Sequence, residues 1–412
     1  MGKGASPVLH EIKTAPDQEQ PGRPTNDQEK SGLFRQVVCL STSNYDAVPT
    51  RKQNVMNRLV DADILYFDPG VTWIAPLKDP TAKARLAAWK QPGRQVTDNI
   101  RVFAIPPYLP FFNRHRVINR SNQRRLAAYV RRRMKEHGFE KPLLWCYSPT
   151  SCDLVDLIPR RGLVYDCVDR HSAYPGMIDP AVVDRMEQDL AGRADQVFCT
   201  AAGLYDRLAA YNSNTVLIPN GANFDLFVQA AGRSLRPERF DRPVFGFVGM
   251  LQDCLDYNAI MAVAQAWPEG EVRLIGKPLP GVDLSPLQQY PNIKLLGLKP
   301  QAELPALMRE FDVCLNVFRA GDLSRDVSPL KFYEYLATGK PVVSTPEPLQ
   351  VADFSDVVYI ASHTDDFVVK CRQALTEMDP AIADRRIAYA RDCSWDSRVA
   401  QMVGILKERG LY

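Results

Sequence analysis

Long apolar runs are missing from this chain of 412 residues. No stretch approaches the ~18–20 consecutive apolar residues that a membrane-spanning helix needs. Cysteine is present nine times, but no two are spaced C-x-x-C, which argues against zinc ribbons and dithiol redox motifs. Several lie in apolar runs such as "VVCL" and "DVCLNV", and read as buried thiols in a reducing compartment. No G-x-G-x-x-G follows the first strand-like run, "VVCLSTSNYDAVP", and no Walker lysine follows any strand, which argues against NAD and ATP sites. A strong charge imbalance is absent too: the net charge is +3 and the mean hydropathy −0.25. That balance gives no case for nucleic acid as a partner. The first 31 residues lack the apolar core of a signal peptide and are rich in Pro, Gln, Glu and Asp. They are expected to form a disordered tail, although "MGKGAS" matches the short myristoylation pattern. The expected location is cytoplasmic, peripheral on the inner face of a membrane.

What the chain does have is alternation. Short apolar runs at 36–41, 63–69, 100–106, 142–148, 162–168, 196–201 and 215–220 are separated by helical patterns such as 52–60, 119–137 and 180–193. The rhythm restarts at 243–249 and continues through 271–276, 293–297, 311–318, 340–345 and 357–361, with helices near 256–267, 301–310, 364–377 and 394–409. Such alternation predicts βαβ units and parallel sheets covered on both faces. The expected fold is α/β, with two doubly wound Rossmann-like domains facing across a cleft. The boundaries are a tail over 1–31, a first domain over 32–236, a second over 237–388, and a C-terminal helix in 389–412 crossing back to the first. The polar, arginine-rich 229–243 serves as linker. In such sheets ligands bind off the carboxyl ends of the strands.

Strand ends are therefore where a ligand site is expected. Gly246, Gly249, Gly276 and Gly297 lie at or near strand ends of the second half, where a missing side chain lets a ligand approach the backbone. The run "SPLKFYEYLATGKPVVST", 328–345, reads as helix then strand, with Ser328 as cap, Pro329 in the first turn and Gly339 as stop. Leu330, Tyr333, Leu336 and Ala337 supply its apolar face. Lys331 falls in the first turn, where a cation opposes the helix dipole. A phosphate bound there would reverse that sign. Glu334, one turn on, could accept both hydroxyls of a ribose. The plainer alternative is an intrahelical ion pair on a solvated face.

The run "IKLLGLKPQAELPALMREFDVCLNVFR" followed by "VSPLKFYEYLATGKPVVST" resembles the donor-binding domain of GT-B glycosyltransferases of the group 1, GT4-like families of bacterial polysaccharide and teichuronic acid assembly. "YDAVPTRKQNVMNRLVDADILYFDP", "LVYDCVDRHSAYPG" and "VLIPNGANFDLF" resemble blocks of the acceptor-binding domain, so the resemblance spans about 36–400. It implies metal-independent transfer of a sugar from a nucleotide-sugar, UDP ahead of GDP, to a hydroxyl of a glycan or lipid-linked acceptor in cell-surface polysaccharide or glycolipid synthesis. No bound cofactor is implied beyond that co-substrate. Lys331 would touch the diphosphate, Glu334 the ribose, Gly249 and Met250 the phosphate and sugar, and Leu298 and Lys299 the base. The donor-binding set is completed by Gly276, Ser328, Leu330, Arg325 and Asp326. The last stands where relatives often have Glu. "GMLQDCLDYNAI" lacks an Arg and a Lys that many relatives carry, leaving Lys331, with Arg325, to bear the diphosphate charge. Stereochemistry stays open.

An inverting transfer needs a base near the acceptor hydroxyl. "YDCVDRHSAYPG" offers Asp169 and His171 past a strand end, with Asp166 structural and Asp46 in "TSNYD" a second acceptor-side candidate. Residues 111–135 hold eight Arg and one Lys without Asp or Glu. The basic face from Arg114 to Lys135 suits an anionic membrane surface or a lipid-diphosphate acceptor, or else a merely solvated helix. Two other functional readings stand beside transfer: a GT-B-fold nucleotide-sugar epimerase and a catalytically silent scaffold of a polysaccharide assembly complex.

Overall fold

The computed structural model describes residues 35–412 apart from 78, 81, 175, 232–240, 320, 322 and 323. The tail over 1–31, its myristoylation pattern and most of the expected linker lie outside the described residues. The first body contains β1 (Gln36–Leu40), α1 (Arg51–Met56), β2 (Asp63–Phe67), α2 (Ala82–Ala88), β3 (Arg94–Thr97), β4 (Ile100–Phe103) and α3 (Arg116–Glu136). It continues with β5 (Leu143–Cys146), β6 (Gly162–Cys167), α4 (Pro180–Ala191), β7 (Gln196–Cys199), α5 (Ala202–Ala209) and β8 (Thr215–Leu217). A one-turn helix, α6 (Phe224–Phe227), leads to the second body. That body holds β9 (Val244–Val248), α7 (Tyr257–Ala266), β10 (Glu271–Ile275), β11 (Ile293–Gly297), α8 (Leu304–Met308), β12 (Val313–Asn316) and α9 (Leu330–Ala337). Then follow β13 (Val342–Ser344), β14 (Tyr359–Ile360), α10 (Thr364–Leu375), α11 (Pro380–Asp392) and α12 (Trp395–Glu408).

Each body is built on one sheet. The first has the order β3-β4-β2-β1-β5-β6-β7-β8, parallel except for the β3–β4 pair. The second has the order β11-β10-β9-β12-β13-β14 and is parallel throughout. Residues on alternate sides of each strand enter different cores, as the two-residue repeat of a strand requires. Val38, Leu65, Leu144 and Leu163 pack under α3 and α4. Val37, Ile64, Trp145 and Val164 pack instead with Val55 of α1 and with Trp395, Val399, Met402 and Leu406 of α12. The last helix thus completes the first body, while α11 stays on the second, against α9. Residues 222–230 also join the core of the second body through Ala222, Phe224, Phe227 and Ala230.

Three elements depart from the sequence reading: β3, α2 and α11. β3 is the exposed antiparallel edge strand "RQVT", too polar and short to register as an apolar run. α11 carries no clear apolar stripe because its buried face centres on Arg386. That guanidinium is fully buried, bidentate to Glu377 at 2.6 and 2.5 Å, and donates to the Val357 carbonyl at 2.7 Å.

One buried ion pair joins four parts of the first body. Arg51 Nε lies 2.8 and 3.0 Å from the two oxygens of Asp166 on β6. Its terminal nitrogens reach the Ile218 carbonyl beyond β8 at 3.0 Å and Met402 Sδ on α12 at 3.8 Å. Asp166 is therefore structural. Replacing it with alanine strands a buried guanidinium, and thermal unfolding of Asp166→Ala should show a loss of roughly 3–5 kcal/mol.

Candidate functional site

The carboxyl ends of both sheets meet. In the first sheet the chain leaves β1 on one side for β2 and returns on the other with β5, a topological switch point; β9 and β12 form the equivalent point in the second. Crevices at such points are where open α/β sheets bind ligands. Three sets of contacts bring the two edges together. Asn220 donates from its backbone to Ser328 Oγ at 3.1 Å and from its side chain to the Ser328 carbonyl at 3.0 Å. Arg325 pairs with Asp206 of α5 at 2.7 Å, and Gln350 donates to the Thr200 carbonyl at 2.8 Å.

Lys331 and Glu334 lie at this junction. Lys331 Nζ is 2.7 Å from Glu334 Oε2 and 5.7 Å from the centre of the Phe227 ring. The intrahelical ion pair of the plainer alternative is formed, but Glu334 is 1% exposed, so its carboxylate is buried rather than on a solvated face. Its Oε1 is buried and makes no hydrogen bond of ordinary geometry among the described residues, while the Gln301 side chain approaches the carboxylate. Burial raises its pKa, while Lys331 and the nearby Gln301 favour the charged form. A buried, unsatisfied carboxylate oxygen costs about 1–3 kcal/mol or more, and such a group calls for an explanation. Hydroxyl donors of a ligand would supply one.

Several expected roles are corrected. Ser328 does not cap α9: Pro329 occupies the cap position without a side-chain bond. A residue before proline is held extended, and the Ser328 hydroxyl turns to Asn220 instead. Gly276 is required for packing, since a Cβ there would sit 1.7 Å from the Gly249 carbonyl oxygen at a φ of +157°. Gly246 faces the core, where Phe311 would lie 2.1 Å from any Cβ. Arg325 is engaged by Asp206, so its charge is already matched. Asp326 is buried against α5, where Gly203 leaves room for its carboxylate, with Arg170 at 3.6 Å; burial raises its pKa. Gly249 and Met250 do follow β9 at the second switch point, and the exposed Leu298 and half-buried Lys299 follow β11. Leu330 packs toward the first body's core rather than only into its own.

On the first body, His171 borders a cavity of about 220 Å³ with Ser41, Thr42, Tyr108, Phe112, Ser148 and Tyr174 among its walls. His171 Nε2 lies 3.0 Å from the Tyr147 carbonyl. A carbonyl only accepts, so Nε2 carries the proton and Nδ1 is the basic lone pair of the neutral ring. Burial lowers the His171 pKa. Asp169 Oδ2 accepts from the Tyr174 hydroxyl at 2.9 Å. Asp46 is exposed and paired with Arg94 at 2.5 Å, away from these walls. Among the described residues no three His, Cys, Asp or Glu side chains gather as metal ligands.

Sequence reading missed Lys52, Tyr147, Tyr174 and Asn220. The first two flank the β1/β5 switch point, and strand order is not written in any local pattern. The arginine-rich run forms α3, but its charges are partly matched from elsewhere. Arg116 pairs with Asp153 and Asp189, Arg120 approaches Asp153, and Arg132 and Arg133 share Glu136, one residue beyond the acid-free stretch.

Residues 257–404 match the model of a family described as glycosyl transferase-like. The chain is 27% identical over 284 residues, 64% of it and 71% of the relative, to TuaH of Bacillus subtilis (strain 168), named as a putative teichuronic acid biosynthesis glycosyltransferase. Among solved structures, Anabaena HepE in complex with UDP and glucose aligns with a TM-score of 0.63 at 15% identity, covering 91% of this chain and all of that one. A trehalose-phosphate synthase (UDP-forming) from Burkholderia vietnamiensis aligns with a TM-score of 0.65 at 14% identity, covering 91% and 99%. The likeness to the solved structures shows that the two bodies together form the GT-B fold.

The geometry of His171 makes a direct prediction. Because burial lowers its pKa, the ring stays neutral on acidification through the usual histidine range and charges only below it. A two-dimensional NMR titration of ring nitrogens should show the Nε2–H tautomer at pH 7; a doubly protonated ring there would contradict the assignment.

Proposed function

We propose that this chain, a group 1-type glycosyltransferase of the GT-B fold, transfers a sugar from a UDP-sugar to a hydroxyl of a glycan or lipid-linked acceptor in cell-surface polysaccharide or glycolipid synthesis. The observation that carries the donor half is the Lys331–Glu334 pair. An ammonium and a buried carboxylate with one unsatisfied oxygen stand side by side where the two sheet edges meet. The pairing fits a nucleoside diphosphate, whose phosphates take the cation and whose ribose hydroxyls donate to Oε1. UDP is preferred to GDP because the similar HepE structure holds UDP and glucose.

The acceptor hydroxyl would enter from the first body's cavity. In an inverting transfer, Nδ1 of His171 takes its proton as the oxygen attacks the anomeric carbon, and the burial that keeps the ring neutral keeps it available. Lys331 and the start of α9 offset the charge growing on the leaving phosphate without a metal.

The basic face supports reach to a membrane-bound acceptor. Arg124 and Arg125 are exposed on α3 with Arg114 just before it, and none has an acidic partner among the described residues. Exposed Leu109, Phe111 and Val117 lie at the same end, with Phe111 held at a φ of 63°, unusual for a bulky residue. That combination supports peripheral docking to anionic lipid on the cytoplasmic face.

A thermal-shift series tests the donor half: UDP should raise the melting temperature of wild type, and Lys331→Ala and Glu334→Gln should each weaken UDP binding tenfold or more. Glu334→Gln removes a buried charge, so its own melting temperature should hold or rise. No response of wild type to UDP or GDP would defeat the donor reading. His171→Ala should keep UDP binding and lose transfer by about 10²–10⁴-fold, and EDTA should leave the wild-type rate unchanged. For the membrane, vesicles of phosphatidylglycerol should sediment the protein and phosphatidylcholine should not, with Arg124→Glu/Arg125→Glu abolishing the difference.

A further inference from the structure

The first turn of α1 carries a cation with no task in the core. Lys52, the second residue of α1, is 6% exposed. Its ammonium lies 5.8 Å from the centre of the Tyr147 ring, and no hydrogen bond or ion pair joins it to another described residue. The residue is largely covered, but its Nζ is not among the fully buried unpartnered atoms, so the stem is packed while the ammonium tip keeps contact with solvent. Desolvation lowers its pKa, with Asp169 and Asp166 opposing from a distance. A methionine would fill the same volume without the charge. The position therefore keeps a charge that the protein itself does not use.

Its place in the fold says what kind of group could use it. α1 starts at the carboxyl edge beside the β1/β5 switch point, and Tyr147 directly follows β5. Asp169 and His171 follow the next strand, β6. Arg51, its neighbour, bonds the Ile218 and Pro219 carbonyls, and Asn220 just beyond them bonds Ser328, three residues before Lys331. On the facing edge of the second body the cations without an ion pair or side-chain hydrogen bond among the described residues, Lys277 and Lys299, follow β10 and β11 rather than the β9/β12 switch point. Residues 249–260 contain no Lys or Arg. Arg319 donates to the Asp253 carbonyl, Arg325 pairs with Asp206, and Lys331 shares its charge with Glu334.

We infer that Lys52 supplies, from the first body across the cleft, the ammonium that contacts the terminal phosphate of the nucleoside diphosphate. The inference rests on the donor reading given above and assigns part of its chemistry to the opposite domain. In the transfer step the bond between the anomeric carbon and the terminal phosphate oxygen breaks, and its electron pair stays on that oxygen. The acceptor oxygen forms the new bond to carbon and gives its proton to the base. Lys52 remains protonated throughout and stabilises the added negative charge on the phosphate.

Isothermal titration of wild type, Lys52→Met and Lys52→Gln with UDP and UMP, and with GDP and GMP, tests the assignment. Methionine keeps the volume without the charge and glutamine keeps polarity, so a folding failure of one leaves the other to decide. The expected result is a loss of at least tenfold in affinity for the diphosphate, with the matching monophosphate changed less than threefold and the melting temperature close to wild type. Equal weakening of diphosphate and monophosphate, or no weakening of either, overturns the role of Lys52 while leaving the donor reading intact. A wild type that binds none of the four nucleotides removes the donor reading itself, and the role of Lys52 with it.

Discussion

The buried pair of Arg51 and Asp166 fixes the geometry on which the rest of the first body depends. One guanidinium holds the first helix, the middle of the sheet, the segment after the last strand and the C-terminal helix in a single arrangement. The chain must cross from the second body back to the first to place Met402 there. The turn between β8 and α6 must also lie where its carbonyls meet Arg51. That same turn presents Asn220 to Ser328, so the contact that seats α9 against the first body is set by a charge pair deep in the opposite sheet. Buried pairs of this kind add little net stability over apolar packing, yet removing one partner is severe. Here the return is position.

Position matters because the charges in the cleft are few and unevenly matched. Arg325, Asp326, Asp206 and Arg170 neutralise one another between the domains. Lys331 and Glu334 are also paired, but that pair leaves one carboxylate oxygen unsatisfied in a buried site. His171 is held neutral by burial and oriented by a backbone carbonyl. A site with preset donors and acceptors and little spare charge suits a ligand that brings its own hydroxyls and phosphates, because the protein groups need not reorganise when it binds.

Much of the fold was legible in the sequence because parallel strands covered on both faces read as apolar runs, and each such run holds a strand. The elements that escaped are those whose stability does not come from apolar periodicity: the polar edge strand β3, and α11, whose buried face is Arg386 answered by Glu377. In the site, the "SPLKFYEY" run was readable because cap-like residues, a cation and a carboxylate fall within one helical turn. Its details were not, because whether Ser328 caps its own helix or bonds Asn220 is decided across the domain junction. Glycine was the least informative signal. Gly246 and Gly276 stand at strand ends for packing, against Phe311 and the Gly249 carbonyl, and a sequence cannot separate that need from room for a ligand. Lys52 was hidden for the opposite reason, since it becomes notable only once β5 is known to lie beside β1.

The central claim is that the unsatisfied oxygen of Glu334 is a receptor for ribose hydroxyls. A crystal structure of the protein with UDP tests it most directly. The account predicts ribose oxygens within hydrogen-bond distance of Glu334 Oε1 and the diphosphate beside Lys331. A nucleotide bound elsewhere, with Oε1 still buried and unpartnered, would contradict it.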